Sequence, residues 1–376
     1  MNNLSGSPHF HIVESEKSWI EGKAVEQLKK TSELPGMERV IGMPDIHPGK
    51  GAPVGAVFIS KDIIYPYLLG NDVGCGIGLW QTQLKRNKLK RDRWVKKLTG
   101  LETAWGGDIP EWLSRYSIKA RPYDDALGTL GGGNHFAELQ LFEQIENLTL
   151  FKNLGLDKNR FMVLVHSGSR GLGESILRSH TDVYGAQGLE EESNNARVYI
   201  EKHDQAIKWA AANRALIAHR FTSCLGTQGV NILDICHNSL TSKTIEGGNY
   251  WLHRKGAVSA EEGAIVIAGT RGSLSYLVMP TSNQKLNGYS LAHGAGRKWN
   301  RHESRKRLSS RYKPQALLQT ELGSRVICEN KDLLYEEAPQ SYKNIETVIQ
   351  DLQNAGLIEV VASLRPIITY KVRSQR

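Results

Sequence analysis

Cysteine is scarce in this chain of 376 residues: Cys75, Cys224, Cys236 and Cys328 are scattered, with no CxxC pair among them. That excludes a disulfide-stapled secreted scaffold and leaves each thiol as a ligand or as core filler. No run approaches the roughly 20 continuous apolar residues of a membrane helix, and the start MNNLSGSPHFHIV has no basic flank leading into an apolar stretch. A soluble cytoplasmic protein is expected. Low-complexity linkers and internal repeats are also missing, so residues 1–376 read as a single domain. Neither GTRGSLSYLV nor HSGSRGLG is a Walker loop, no GxGxxG precedes an acidic residue, and Ser167 and Ser169 lie outside any GxSxG elbow. Nucleotide chemistry of the P-loop kind and serine hydrolysis are therefore set aside.

Charge is abundant and one-sided. Lys and Arg number 48 against 39 Asp and Glu, a net +9, with the excess gathered in 84–97 (LKRNKLKRDRWVKK), 297–313 (RKWNRHESRKRLSSRYK) and the tail KVRSQR. Clustered cations suit a polyanion, because each one laid on a phosphate releases a condensed counterion. The 84–97 run taken alone is equally a solvated basic face.

Short apolar runs at 54–59, 161–166, 230–236, 263–269 and 274–279 read as strands, most running into a glycine-rich turn. An amphipathic helix is expected over 194–221, with Ile200, Ile207, Ala211 and Ala218 on one face. A second carries Ile345, Val348, Ile349 and Leu352 and is ended by Gly356. Both are expected to be packing elements. The fold class is α+β, with strands and helices mixed around a central cleft.

Chemistry gathers in the glycine-rich phrases. Asp72 and Cys75 share GNDVGCGIG, a segment too flexible for a helix, in which a tight turn aims both side chains at one point. A thiolate has the lone pairs to bridge two cations, although Asp-x-x-Cys alone also describes a core cysteine beside a turn aspartate. His135 in GGGNHFAEL, His166 in VLVHSGSRG and His237 in DICHNSL each present an imidazole where a strand meets a loop. Together these five residues form a candidate binuclear metal site. Imidazole and thiolate by themselves suit zinc, and ions sharing one thiolate would lie about 3.5–4 Å apart, a separation suited to phosphoryl or nucleotidyl transfer. LAHGAGRKWNR adds His293, a competent nucleophile toward phosphorus, followed by a helix expected to start after the glycines and to carry Arg297 and Arg301 at i and i+4. The plain alternative there is a histidine at a helix start beside surface arginines.

GMPDIHPGKGAPVGAVF (42–58), GNDVGCGIG, GTLGGGNHFAEL, HSGSRGLG, the His237-Asn238 pair, HRKGAVSA (253–260), LAHGAGRKWNR and the terminal ITYK occur in one order along nearly the whole chain. In that combination the sequence resembles the RtcB-type RNA ligases. The resemblance implies a single α+β domain of that family's own type. It also implies joining of an RNA 3′-phosphate or 2′,3′-cyclic phosphate to a 5′-hydroxyl with GTP and manganese (Mn2+).

One ion would be held by Asp72, Cys75 and His135, a second by Cys75, His166 and His237, and His293 would carry GMP. The implied guanylate pocket comprises Asn134, His135, Phe136, Ala137, Glu138, His237, Asn238, Ala268, Gly269, Thr270, Arg271, Ser275, His293, Gly294, Ala295, Gly296 and Lys371. Arg170, Arg297 and Arg301 would bind RNA phosphates. In the implied mechanism metal-activated water opens any cyclic phosphate, His293 takes GMP from GTP, GMP passes to the RNA 3′-phosphate, and the 5′-hydroxyl displaces it.

The intervals from Cys75 to Asn134 and from His166 to His237 are shorter than in housekeeping members. The chain is in this respect similar to the branch found beside a release-factor-H-like protein, with an implied role in repairing RNA of the translation machinery. Archease or such a release-factor-like protein is the implied helper. Arg271 stands where a smaller or apolar residue is expected, which leaves selection of GTP over ATP open. Two other readings remain: a metal-dependent phosphoesterase that opens cyclic ends without joining them, and a non-catalytic RNA-end sensor. The phosphoesterase needs neither His293 nor Lys371; the sensor would have lost a ligand or the nucleophile.

Overall fold

The computed structural model describes residues 10–119 and 122–374. Most of the starting segment and the last two residues of the basic tail lie outside the described residues. Two sheets dominate. The larger has eight strands, seven of them in the spatial order Ile265–Ile267, Ser275–Pro280, Ile358–Val372, Phe136–Ile145, Arg160–Ser167, Gly76–Lys85, Gly229–Cys236, with Arg325–Cys328 paired to Ile358–Val372. The smaller runs Phe10–Ile12, Met37–His47, Val54–Ser60, Gly248–Lys255, Asn238–Ile245.

Side chains explain this layering. Along the Arg160–Ser167 strand Met162 and Leu164 enter the core between the two sheets with Ile41, Val57 and Leu252, whereas Phe161, Val163 and Val165 enter the opposite layer with Ile217 and Phe221 of the long helix. A strand buried on both faces has no polar face to alternate with, hence the unbroken apolar run FMVLV. The mixed helix and sheet content agrees with the expected α+β class.

The long helix spans Asn194–Leu225, N-capped by the Ser193 side chain and closed by left-handed Gly226. Of the expected face Ala218 is buried, while Ile200, Ile207 and Ala211 are only half-covered; the buried stripe runs instead through Ala206, Trp209, Ala210, Asn213, Leu216 and Ile217. A helix wedged under a sheet buries a broad face, and its polar Asn213 and Arg214 are drawn inward by partners that periodicity does not reveal. The helix at Ile345–Asn354 buries Ile345, Val348, Ile349 and Leu352 as expected, and Gly356 follows at φ +67°. Expected strands 54–59, 161–166, 230–236 and 274–279 are present; 263–269 shortens to Ile265–Ile267. Among the described residues no helix is long and apolar enough to cross a membrane.

Candidate metal and nucleotide site

Strand register assembles the donors. Gly76 pairs with Ser167 on one side and Cys236 on the other, and Phe136 pairs with His166. Cys75, His135, His166 and His237 therefore sit at one rim of the large sheet, on neighbouring antiparallel strands about 4.8 Å apart. Asp72 joins them through a tight turn closed by Cys75 N donating to Asp72 O at 3.0 Å. Gly74 makes that turn possible, with φ +81° and the Ala210 Cβ of the long helix 2.9 Å from where a β-carbon would lie.

The five donors form a string. Asp72 Oδ2 lies 2.9 Å from His135 Nε2, which lies 3.4 Å from Cys75 Sγ; that sulfur is 3.3 Å from His166 Nε2, itself 3.3 Å from His237 Nε2. Cys75, His135 and His166 offer ligand atoms all within 4.8 Å of one another. Metal bonds of roughly 2.0–2.3 Å put neighbouring tetrahedral donors about 3.3–3.8 Å apart, so most of these spacings are those of ligands around a cation.

Proton placement points the same way. His135 Nδ1 faces the Leu130 carbonyl at 3.1 Å and must donate there, which turns Nε2 toward a carboxylate and a sulfur. Asp72 Oδ1 and His237 Nδ1 are buried without partners. A cation beside Asp72 and Cys75 resolves the clash of acceptors. Burial pushes the Cys75 thiol well above its ordinary range, with Asp72 adding to it, and pushes His166 and His237 well below theirs. Both imidazoles are thus neutral, as ligands must be, and loading a metal releases the thiol proton.

Beneath the rim lies an ion pair between buried Arg214 and half-buried Asp234 that sequence reading missed. Arg214 is 1% exposed, donates to Gly74 O at 2.7 Å and Ser167 O at 3.0 Å, and pairs through Nε and Nη2 with Asp234. It ties the Asp72–Cys75 turn to the His166 strand. Arg214→Met is expected to cost about 3–5 kcal/mol, because it leaves a carboxylate and two carbonyls without their donor. Urea unfolding of the apo-protein measures this; a loss below about 1 kcal/mol would mean the pair is not a strut.

His293 stands beside the string, its ring centroid 4.8 Å from that of His237. Asp45, fully buried, brings Oδ2 to 2.7 Å from His293 Nδ1 and accepts from His293 N and Gly294 N at 3.2 and 3.3 Å. Lys343 Nζ fixes that segment by donating to Pro44 O and Ile46 O at 3.0 and 2.6 Å. Asp45 was visible only as one letter of GMPDIHPGK; an acid flanked by Pro44 and Ile46 was the available signal. The expected helix cradle is corrected: the helix begins at Arg301, capped by Asn300, so Arg297 and Arg301 do not share its face and its start is eight residues beyond His293. Glycines and Asn300 hold the chain in a loop until then.

A cavity of about 610 Å3 joins all of this. It is lined by all five donors, His293, Asn134, Phe136, Glu138, Asn238, Ala268 to Arg271, Gly294 to Gly296, Lys371, Arg170, Arg297 and Arg301. Ala137 and Ser275 are not on its wall. Ala137 points into the apolar layer under the long helix, as alternation along the strand requires, and Ser275 Oγ accepts from Gly269 N at 3.1 Å, supporting the 268–271 loop from behind.

Glu138 is held by Gln140 and Thr369, and Asn238 bridges Asp72 O and Gly256 N. Arg271 is 5% exposed; Nη2 donates to Leu334 O, while Nε and Nη1 find no partner. Lys371 donates to Gly133 O, and burial lowers its pKa to about 8.

The arginines differ. Arg297 spends all five N–H groups on Trp299 O, Glu337, Tyr342, Glu336 O and Ser304, the posture of a strut. Arg301 is half exposed, its Nε 3.4 Å from Glu337. Arg170 holds φ +57°, a backbone conformation that non-glycine residues rarely adopt. Glu337, also missed, is buried, yet Lys371, Arg297, Tyr342 and Arg301 outweigh that burial and bring it to about 2.

The family model described as "tRNA-splicing ligase RtcB" matches residues 27–113 and 104–372. The chain belongs to the RtcB family of RNA ligases. It is 47% identical over 364 residues to "RNA-splicing ligase RtcB2" of Escherichia coli strain ATCC 25922, covering 96% of this chain and 94% of that protein. It is 28% identical to "tRNA-splicing ligase RtcB" of Nanoarchaeum equitans over 93% of this chain and 92% of the relative. With "RNA-splicing ligase RtcB" of Escherichia coli K12 it shares 26% identity over 94% and 97%. Family members are RNA ligases, and here the five candidate donors and His293 line one cavity.

Proposed function

We propose that this RtcB-family chain seals an RNA 3′-phosphate, or a 2′,3′-cyclic phosphate once opened by water, to a 5′-hydroxyl, using GTP and two manganese ions. The observation that carries the reading is the placement of His293 against the donor string, its Nδ1 side backed by Asp45 and its ring 4.8 Å from His237. Asp72, Cys75 and His135 would hold one ion and Cys75, His166 and His237 the other; such ions neutralise phosphate oxygens and make phosphorus more electrophilic.

The protein's own residues supply the rest. Asp45 Oδ2 stands 2.7 Å from Nδ1, so Nε2 of His293 is the ring nitrogen left to attack the α-phosphorus of GTP. An N–P bond forms as the bond to pyrophosphate breaks. A terminal phosphate oxygen of the RNA then attacks the same phosphorus, returning the imidazole and leaving a 3′-diphosphate-linked guanosine. The 5′-hydroxyl attacks the RNA phosphorus and expels GMP, losing its proton in the process. Capping with GMP converts an oxygen that leaves poorly into one that leaves well. Arg170 and Arg301 border the cavity where RNA phosphates would lie, and Lys371 and Glu138 border the nucleotide's share of it. The 47% likeness to a protein named "RNA-splicing ligase RtcB2" supports RNA as the substrate, and resemblance to the short branch supports repair of broken cellular RNA, including translation-machinery RNA, with archease or a release-factor-H-like protein as functional partner.

Incubation with manganese and α-labelled GTP should place label on His293 and on nothing in His293→Ala. The wild-type protein should join 3′-phosphate and cyclic-phosphate ends to 5′-hydroxyl ends and ignore 3′-hydroxyl with 5′-phosphate. Unlabelled wild-type protein that still opens cyclic ends would overturn ligation in favour of a phosphoesterase.

A further inference from the structure

Resting on that reading, we infer that the basic segment from Lys85 to Lys97 is a second RNA-docking surface, one that holds the duplex body of the substrate away from the reacting ends. The Gly76–Lys85 strand leaves the catalytic rim at Gly76 and delivers Lys85 to the opposite end of the sheet, paired with Arg160, while His166 stays at the rim. Six residues of the neighbouring strand at about 3.3 Å each separate the two ends by about 20 Å. Lys85, Arg86, Lys88, Lys90, Arg93 and Lys96 are exposed there, and among the described residues none of them has an ion-pair partner. The single acid of the segment, Asp92, lies 3.6 Å from Arg325, which offsets its charge and leaves the segment's own cations unopposed.

What the segment hides decides the kind of RNA. Its only aromatic, Trp94, is 5% exposed and packs edge-on against Phe161, so the surface offers no ring on which an unpaired base could stack. Single-strand grooves combine cations with stacking rings, whereas duplex RNA is held chiefly through its phosphates and shape. Cations without exposed rings fit the second. Unpaired surface charge of one sign is also unfavourable to leave facing itself, and a phosphate backbone relieves it. The enzyme would then grip a broken, folded RNA at two places: its ends in the cavity and a helical arm on this face.

The test uses the full-length protein and the fourfold variant Lys85→Ala, Arg86→Ala, Lys88→Ala, Lys90→Ala, all exposed positions outside the catalytic cavity. Two substrates carry identical ends, one a pair of short single strands, the other a nicked hairpin with a long duplex arm. In the variant, KM for the hairpin should rise about tenfold, with kcat, His293 labelling and short-strand joining unchanged. The salt slope of binding to an end-blocked duplex should fall by about three. Equal KM for the hairpin in both proteins would overturn the proposal. So would an equal loss of affinity for polyglutamate, which would make the face a site for acidic protein, or for single-stranded RNA. If the wild-type protein neither labels nor joins yet duplex binding still depends on these cations, ligation falls and the docking surface stands.

Discussion

Cys75→Ala is expected to lower RNA joining by about 10^3-fold or more, a loss of at least about 4 kcal/mol in the barrier. The expectation follows from position. Cys75 Sγ is the middle member of the donor string, 3.4 Å from His135 and 3.3 Å from His166, in direct contact with both halves. In the proposed arrangement, removing Asp72 or His237 would weaken one ion, whereas removing the thiolate would take a ligand, and a negative charge, from both. Metal content after dialysis should fall from two ions per chain to fewer than one. Stability should change far less, because a buried cysteine packs as a small apolar group. Cys224→Ala, at a half-exposed position on the long helix, is the control and should join normally. Wild-type-like joining by Cys75→Ala would sink the shared-ligand arrangement.

The donors were legible in the sequence because each one sits in a short phrase with its own signature, a glycine turn or the end of an apolar strand. Their convergence was not, because it is created by register: Gly76 opposite Ser167 and Cys236, and Phe136 opposite His166. The same limit applies to the supporting charges. Arg214 sits on a helix read as packing, 20 residues before the Asp234 it pairs with, and nothing in a 3.6-residue period marks a guanidinium for burial. Glu337 looks like any surface acid until Arg297, Lys371 and Tyr342 are seen around it. Arg297 shows the opposite error. In the sequence it is expected to share a helix face with Arg301 and to bind RNA phosphate; in the fold its whole fork is consumed internally, leaving Arg301 and Arg170 the better candidates to meet phosphate.

Asp45→Ala is expected to slow transfer of GMP to His293 by about 10^3-fold, and Asp45→Asn by about 10^2-fold. When Nε2 bonds to phosphorus while Nδ1 keeps its proton, the ring becomes positively charged. The Asp45 carboxylate, 2.7 Å from Nδ1 and fully buried, is the counter-charge already in place. Its orientation is set by the amides of His293 and Gly294, which donate to the same Oδ2. An asparagine oxygen can accept from those amides and keep the ring aligned, but it brings no charge; alanine loses both functions and leaves two amides unpaired, at about 1–3 kcal/mol of stability. The two steps of the reaction separate this role from a structural one. Sealing of RNA supplied with a pre-formed 3′-diphosphate-guanosine end bypasses attack by His293, so both variants should seal it within a few-fold of the wild-type rate. Equal loss on pre-activated RNA would instead make Asp45 a determinant of the cavity's shape, and wild-type labelling by Asp45→Ala would remove it from the reaction altogether.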